Sequence, residues 1–171
     1  MSAASSQIID VDDQVSLIPI NITHFKELHD VFGQKIASTE NERKDYMISQ
    51  AYLTRQMKNM RGQIFVVKAM RNNRLVSLLQ LTHTSEVMIA NVWYGRDVTK
   101  EEKRSILHGV RYYAEHQEHI EKILFRVGKR DEALKLLLTT SLGATIHTYT
   151  LVEKISDGVF LEMNEAIVQV S

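Results

Sequence analysis

Apolar and polar positions recur along this chain with two periods, near two and near 3.6, and together they lay out an ordered set of elements. Residues 15–20 form a short apolar stretch, and Pro19, which lacks an N–H, marks it as an edge strand or a strand end. Thr23 can cap a helix whose inner face is Phe25, Leu28, Val31 and Phe32. A polar stretch at 38–41 leads to a second helix over roughly 42–60, with Tyr46, Leu53, Met57 and Met60 inward. Past Gly62 the pattern changes. Residues 64–70 and 75–81 read as strands joined by the turn Arg71-Asn72-Asn73-Arg74, where asparagine tolerates left-handed backbone. Residues 86–94 form the third strand of an antiparallel run, alternating Val87, Ile89 and Trp93 with Met88, Ala90 and Val92.

A long helix over 100–118 follows, with Ile106, Leu107, Val110, Tyr113 and Ala114 on one face. Gly109 inside it costs about 1 kcal/mol relative to alanine, which points to close packing there. Next come a strand at 123–127, a leucine-faced helix at 131–142 and a strand at 145–154. Ser156-Asp157-Gly158 then turns into a last strand at 159–163. The order β-α-α-β-β-β-α-β-α-β-β implies an α+β protein with a mixed, mostly antiparallel sheet flanked by helices. Its late strand-helix-strand unit can form a parallel pair through a right-handed crossover. No repeat interrupts it, so one domain is expected over 14–163. A mobile polar arm at 1–13 precedes it, and a C-terminal tail at 164–171 follows. One or both ends are expected to pack against another chain, the tail through Ile167, Val168 and Val170.

Composition narrows the partners. The 171 residues are 44% hydrophobic, enough for a sizeable core, and 21 basic residues balance 21 acidic ones. That balance, with no basic-aromatic motif, argues against nucleic acid as a partner. No apolar run approaches the ~20 residues of a membrane span, and residues 1–13 lack the form of a secretory signal. The absence of cysteine removes disulfides and thiolate metal sites. A cytoplasmic protein is the expectation, or one released into another particle from a cytosol.

The element order resembles the GNAT superfamily (Gcn5-related N-acetyltransferases) over roughly 15–163. The strand at 123–127 is followed by Arg130-Asp131-Glu132-Ala133, Leu136-Leu137 and Leu142-Gly143-Ala144, similar to the family's N-x-x-A-x-x-L-Y-x-K-x-G-F helix with two added residues. Two departures stand against activity. Where the family carries a glycine-rich pyrophosphate loop, this chain has Lys100-Glu101-Glu102-Lys103-Arg104-Ser105, with two carboxylates and no glycine. Thr99 and Glu102 read instead as a T-x-x-E capping box that uses up N–H groups an anion would need. The tyrosine that protonates the departing thiolate in many members falls here on Leu137 or Thr139, neither a useful acid.

Other chemistry-bearing residues have plainer readings. Glu86, with His83, is the one candidate base, and both flank a turn. His116 and His119 lack a third metal ligand and suit a helix C-terminus, so no metal is expected. Lys122, Arg126, Lys129 and Arg130 form a basic stretch that suits a solvated face, with a partner or anion contact as the alternative, and Arg126 points away from the side of Phe125 and Val127. Trp93 and Tyr94 can fill the sheet opening as core aromatics.

The leading expectation is therefore a catalytically silent GNAT-like protein that binds no cofactor and works through contacts with other proteins. In its departures it resembles degenerate GNAT-like phage virion and assembly proteins. The alternative is an acetyl-CoA-dependent N-acetyltransferase with an atypical phosphate loop. In that case backbone groups at Asn91, Val92, Trp93 and Tyr94 would hold the pantetheine, and Lys100, Lys103 and Arg104 the phosphates.

Overall fold

Eight strands form one sheet in the order β1-β2-β3-β4-β5-β6-β8-β7. They are β1 (Ile9–Asp10), β2 (Val15–Pro19), β3 (Gly62–Ala69), β4 (Leu75–His83), β5 (Val87–Tyr94), β6 (Lys122–Gly128), β7 (Thr145–Ser156) and β8 (Val159–Gln169). The computed structural model describes residues 7–32, 58, 62–156 and 159–170. Every neighbouring pair is antiparallel except β5 with β6, which run parallel. Helix α2 (Lys100–Glu115) makes the crossover between those two, and α3 (Glu132–Leu142) connects β6 to β7. Helix α1 (Phe25–Phe32) follows β2. The helix expected over 42–60 lies outside the described residues, Lys58 excepted, which is helical.

Alternation along the strands sends side chains to two cores. Phe65, Leu79, Val92, Ala90 and Phe125 face α2 and α3, where Ile106, Leu107, Val110 and Leu138 close over them. Val66, Leu78 and Trp93 face α1 and meet Leu28 and Phe32. Gly109 lets α2 lie on β2: a Cβ there would sit 2.8 Å from Val11 Cγ2 and 3.1 Å from Leu17 Cδ1. The close packing anticipated from the sequence is present.

Three expectations are corrected. The cap before α1 is Asn21, whose side chain accepts from the Thr23 N–H at 2.9 Å, and a single 3-10 turn (Ile22–His24) precedes the α-helix. Asn21 precedes the first turn and accepts from its N–H, while the Thr23 hydroxyl donates to the same Asn21 Oδ1 instead of capping. The stretch at 1–13 is not wholly a free arm. Ile9 and Asp10 pair with Leu17 and Ser16, and Asp12 Oδ2 accepts from Ser105 Oγ of α2 at 2.5 Å. The segment after 163 is no tail either. β8 runs to Gln169 inside the sheet, with Val168 opposite Ile123 and Ile167 opposite both Leu124 and Thr145. Its apolar residues fill this chain's own sheet.

Candidate active site

β5 and β6 pair from Val87↔Lys122 to Ala90↔Phe125, and there the pairing ends. β5 nevertheless continues to Tyr94 along β4, and β6 continues to Gly128 along β8. Each strand is held by its outer neighbour beyond the last shared pair, so the sheet opens as a fork. The Gly95 N–H donates to Val76 O at 2.7 Å, and Trp93 O accepts from Ser77 Oγ at 2.6 Å, both toward β4. Strand alternation therefore turns the N–H and C=O of Val92 and Tyr94 the other way, into the fork. Of the four residues suggested by the sequence, Val92 and Tyr94 offer backbone groups there, while Asn91 and Trp93 offer theirs to β4.

The first turn of α2 stands at the mouth of the fork. Thr99 Oγ1 accepts from the Glu102 N–H at 3.1 Å, and Glu102 Oε1 accepts from the Thr99 N–H at 2.9 Å, which makes the expected capping box. The two carboxylates are not alike. Glu101 is exposed, whereas Glu102 is buried and takes a 2.8 Å ion pair from Arg71 of the β3–β4 turn. Burial works to raise the Glu102 pKa, but hydrogen bonds from Arg71 and from the Thr99 N–H outweigh it and hold the carboxyl below its ordinary value. Its charge is thus already matched and is not presented bare to an incoming phosphate. Lys103 places its ammonium 5.3 Å from the centre of the Tyr94 ring, and the Tyr94 hydroxyl donates to Lys103 O at 3.3 Å. Burial, helped by the charge of Asp131, pushes the Tyr94 phenol far up, so it stays protonated. Lys100 and Arg104 are exposed on the same turn.

On the sheet's other face, the one α1 covers, a row of polar residues crosses the fork. Gln80 lies opposite Asn91, Arg126 opposite Glu165, and Glu165 opposite His147. Asn91 and Arg126 are each the first residue past the last β5–β6 pair. Gln80, Asn91 and Glu165 are buried, Arg126 and His147 half-buried, and Asn91 Nδ2 donates to Gln80 Oε1 at 3.5 Å. The Trp93 indole N–H lies on this face, buried and without a hydrogen-bond acceptor among the described residues. Sequence reading placed Arg126 on the correct face but assigned it to solvent, and it missed Gln80, His147 and Glu165. The available signal was a polar residue breaking an apolar strand, as in Leu78-Leu79-Gln80-Leu81.

The remaining candidates lie elsewhere. Glu86 is exposed just before β5, at the end opposite the fork, and His83 Nε2 is 3.1 Å from the Tyr113 hydroxyl at that same end. Leu137 is buried in the core, and Thr139 donates to Leu136 O at 2.9 Å in its own helix. Neither side chain offers an acidic proton. His116 Nδ1 is 2.8 Å from Tyr112 O at the end of α2, and His119 adopts left-handed backbone at φ 69°. Lys129 pairs with Glu162 at 3.2 Å. No group of metal-binding side chains occurs among the described residues.

No family profile and no curated protein sequence matches this chain. Solved structures do. An acetyltransferase from Salmonella typhimurium that modifies the N-terminal serine of ribosomal protein L7/L12 superposes with a TM-score of 0.71 at 11% identity, over 96% of this chain and 100% of that one. The microcin C7 self-immunity acetyltransferase MccE, solved with acetyl-CoA and AMP, gives 0.69 at 14% identity over 94% and 95%. Spermidine N-acetyltransferase from Vibrio cholerae, solved with CoA and spermine, gives 0.62 at 14% identity over 92% and 96%. The fold is therefore the GNAT fold. These neighbours are acetyltransferases, which corrects the expectation of a protein that is not an enzyme, and none supports a virion or assembly role. No helix among the described residues is long and apolar enough to cross a membrane.

Proposed function

We propose that this chain transfers an acetyl group from acetyl-CoA to an amine. The observation that carries this reading is the fork: Val92 and Tyr94 turn backbone donors and acceptors into an opening between parallel strands, and a buried polar row crosses its far side. Amide groups of a pantetheine arm are complementary to such a strand edge, as an added strand would be. The residues at the mouth also fit the phosphates. Glu102 is neutralised by Arg71, and Lys103 is held over Tyr94, with Lys100 and Arg104 beside it. These side-chain cations replace the backbone cradle of a glycine loop. The full-length likeness to acetyltransferases supports the same reading.

Acetyl-CoA, as substrate, supplies an acyl thioester open to attack by an amine. The Val92 N–H, two residues past the last β5–β6 pair, is a donor available to a carbonyl oxygen that gains negative charge. The thiolate that departs is protonated from water, since Leu137 and Thr139 supply no acid. Titration of the full chain with acetyl-CoA tests the reading. Saturable binding in the micromolar range is expected, weakened about tenfold (~1.4 kcal/mol) by Lys103→Glu. No heat or melting shift with millimolar acetyl-CoA would sink it.

A further inference from the structure

We infer that Arg71, in the β3–β4 turn and outside the fork, is a positioning residue for acetyl-CoA: it cancels the charge of Glu102, so that the first turn of α2 can receive phosphates without a glycine loop. This rests on the acetyltransferase reading and adds to that site a residue from a turn that no sequence motif points to.

The turn is shaped to aim Arg71. The Ala69 N–H donates to Arg74 O and the Asn73 N–H to Ala69 O, both at 2.9 Å, and Asn73 takes left-handed backbone at φ 62°. From this closed turn Arg71 reaches two points of the segment that leads into α2. Its Nε donates to Glu102 Oε2 at 2.8 Å, and its Nη2 donates to Asp97 O at 2.7 Å. The planar guanidinium can serve both acceptors at once, which the single nitrogen of a lysine does less well.

A carboxylate in the first turn of a helix has two opposed effects. It stabilises the helix, by facing the positive end of the macrodipole and here by accepting from the Thr99 N–H. It also repels any anion that approaches the same end. Glu102 is 1% exposed, so water and salt screen it little. Arg71 separates the two effects: the helix keeps its capping carboxylate, while the pair presents no net charge to a phosphate. Lys100, Lys103 and Arg104 then outweigh Glu101, the exposed carboxylate of that turn. Without Arg71 the same three cations would face two carboxylates, one of them poorly screened. Burial opposes the Glu102 charge, and Arg71 with the Thr99 cap sustains it. Arg71 in turn feels its hydrogen bond to Glu102 and, more weakly, the charge of Asp97. Glutamine at 102 would complete the same capping box with no charge to match, so the two effects can be separated by mutation.

Calorimetric titration of the full chain with acetyl-CoA tests this, using the wild type, Arg71→Gln, Glu102→Gln and the double variant. Arg71→Gln should weaken binding about tenfold at pH 8, and adding Glu102→Gln should restore it to within about twofold, because the double variant is again neutral there. Glu102→Gln alone, with the guanidinium unmatched, should bind at least as tightly as the wild type. The loss in Arg71→Gln should shrink as pH falls from 8 toward 5, since an unmatched buried carboxyl takes up a proton. Taking the ratio to the wild type at each pH cancels the titration of the ligand's own phosphates. A purely structural role for Arg71 would give neither the rescue nor the pH dependence. If Arg71→Gln does not fold, as judged by melting, the other two variants decide, and Glu102→Gln should bind more tightly than the double variant. Wild-type binding by Arg71→Gln, a double variant as weak as Arg71→Gln, or a Glu102→Gln variant weaker than the wild type would each overturn this inference alone. Failure of the wild type to bind acetyl-CoA would overturn the acetyltransferase reading and this inference with it.

Discussion

Arg71 and Glu102 are joined at 2.8 Å, with the guanidinium 43% exposed and the carboxylate 1% exposed. The contact ties the β3–β4 turn to the first turn of α2, and the same guanidinium donates to Asp97 O at 2.7 Å in the intervening loop. A buried carboxylate at the mouth of a proposed phosphate site is tolerable because it already has a cation.

Glu102 titrates below the ordinary glutamate value of 4.5 in the folded protein. A depressed carboxyl contributes stability that is present above the unfolded value and is lost as pH falls through the folded one. Denaturant unfolding of the wild type and of Glu102→Gln should therefore differ most at neutral pH and converge below 4.5. A gap that stays constant down to acid pH would contradict the ion pair.

Thr99→Ala should cost about 0.5–2 kcal/mol, the usual loss for an N-cap hydroxyl. Thr99→Ser should restore most of it, because the serine oxygen reaches the same Glu102 N–H. Chemical denaturation measures both.

Gly109→Ala tests how closely α2 lies on β2. In a solvated helix this change gains up to about 1 kcal/mol. Here the new methyl meets Val11 at 2.8 Å, and overpacking of about 1–3 kcal/mol outweighs the gain. A fall in Tm is expected; a rise would mean that α2 stands further off the sheet.

Burial lowers the His83 pKa below its ordinary 6.5, favouring the neutral ring beside Tyr113. The folded state then binds fewer protons than the unfolded one, so stability falls as pH drops below 6.5 and levels off beneath the folded value. His83→Gln should flatten that segment of the stability profile, measured by urea unfolding between neutral pH and pH 5.

Much of the fold was legible because alternation and helical spacing are local. β3, β4, β5, α2 and α3 all lie within a few residues of where periodicity puts them. β8 was cut short because Asn164 and Glu165 look like the start of a solvated tail, whereas both are buried. Glu165 stands in the polar row between Arg126 and His147, and Asn164 is buried on the opposite face across from Val127. That row was not legible as a unit. Gln80, Asn91, Arg126, His147 and Glu165 lie far apart in sequence, and only the strand register lines them up. Arg71 was hidden likewise, since a turn arginine gives no local sign of a partner on a distant helix. The missing glycine loop was read as loss of function because a backbone cradle and side-chain cations look different in sequence, although both present positive potential to an anion.

β8 follows β7 in the chain yet lies between β6 and β7 in the sheet. This order sets a timetable for folding on the ribosome. The meander from β2 through β5 pairs neighbour to neighbour and can zip up as it emerges, apart from the connection between β2 and β3. The edge of β6 has no strand to meet until residues 159–169 have been made. Until then the nascent protein carries an open, apolar strand edge, the kind of surface on which chains associate wrongly. Docking of the β7–β8 hairpin covers the β6 edge. The open edge then passes from β6, in the middle of the sheet, to β7 at its end. Lesions that slow this docking should reduce the yield of folded protein.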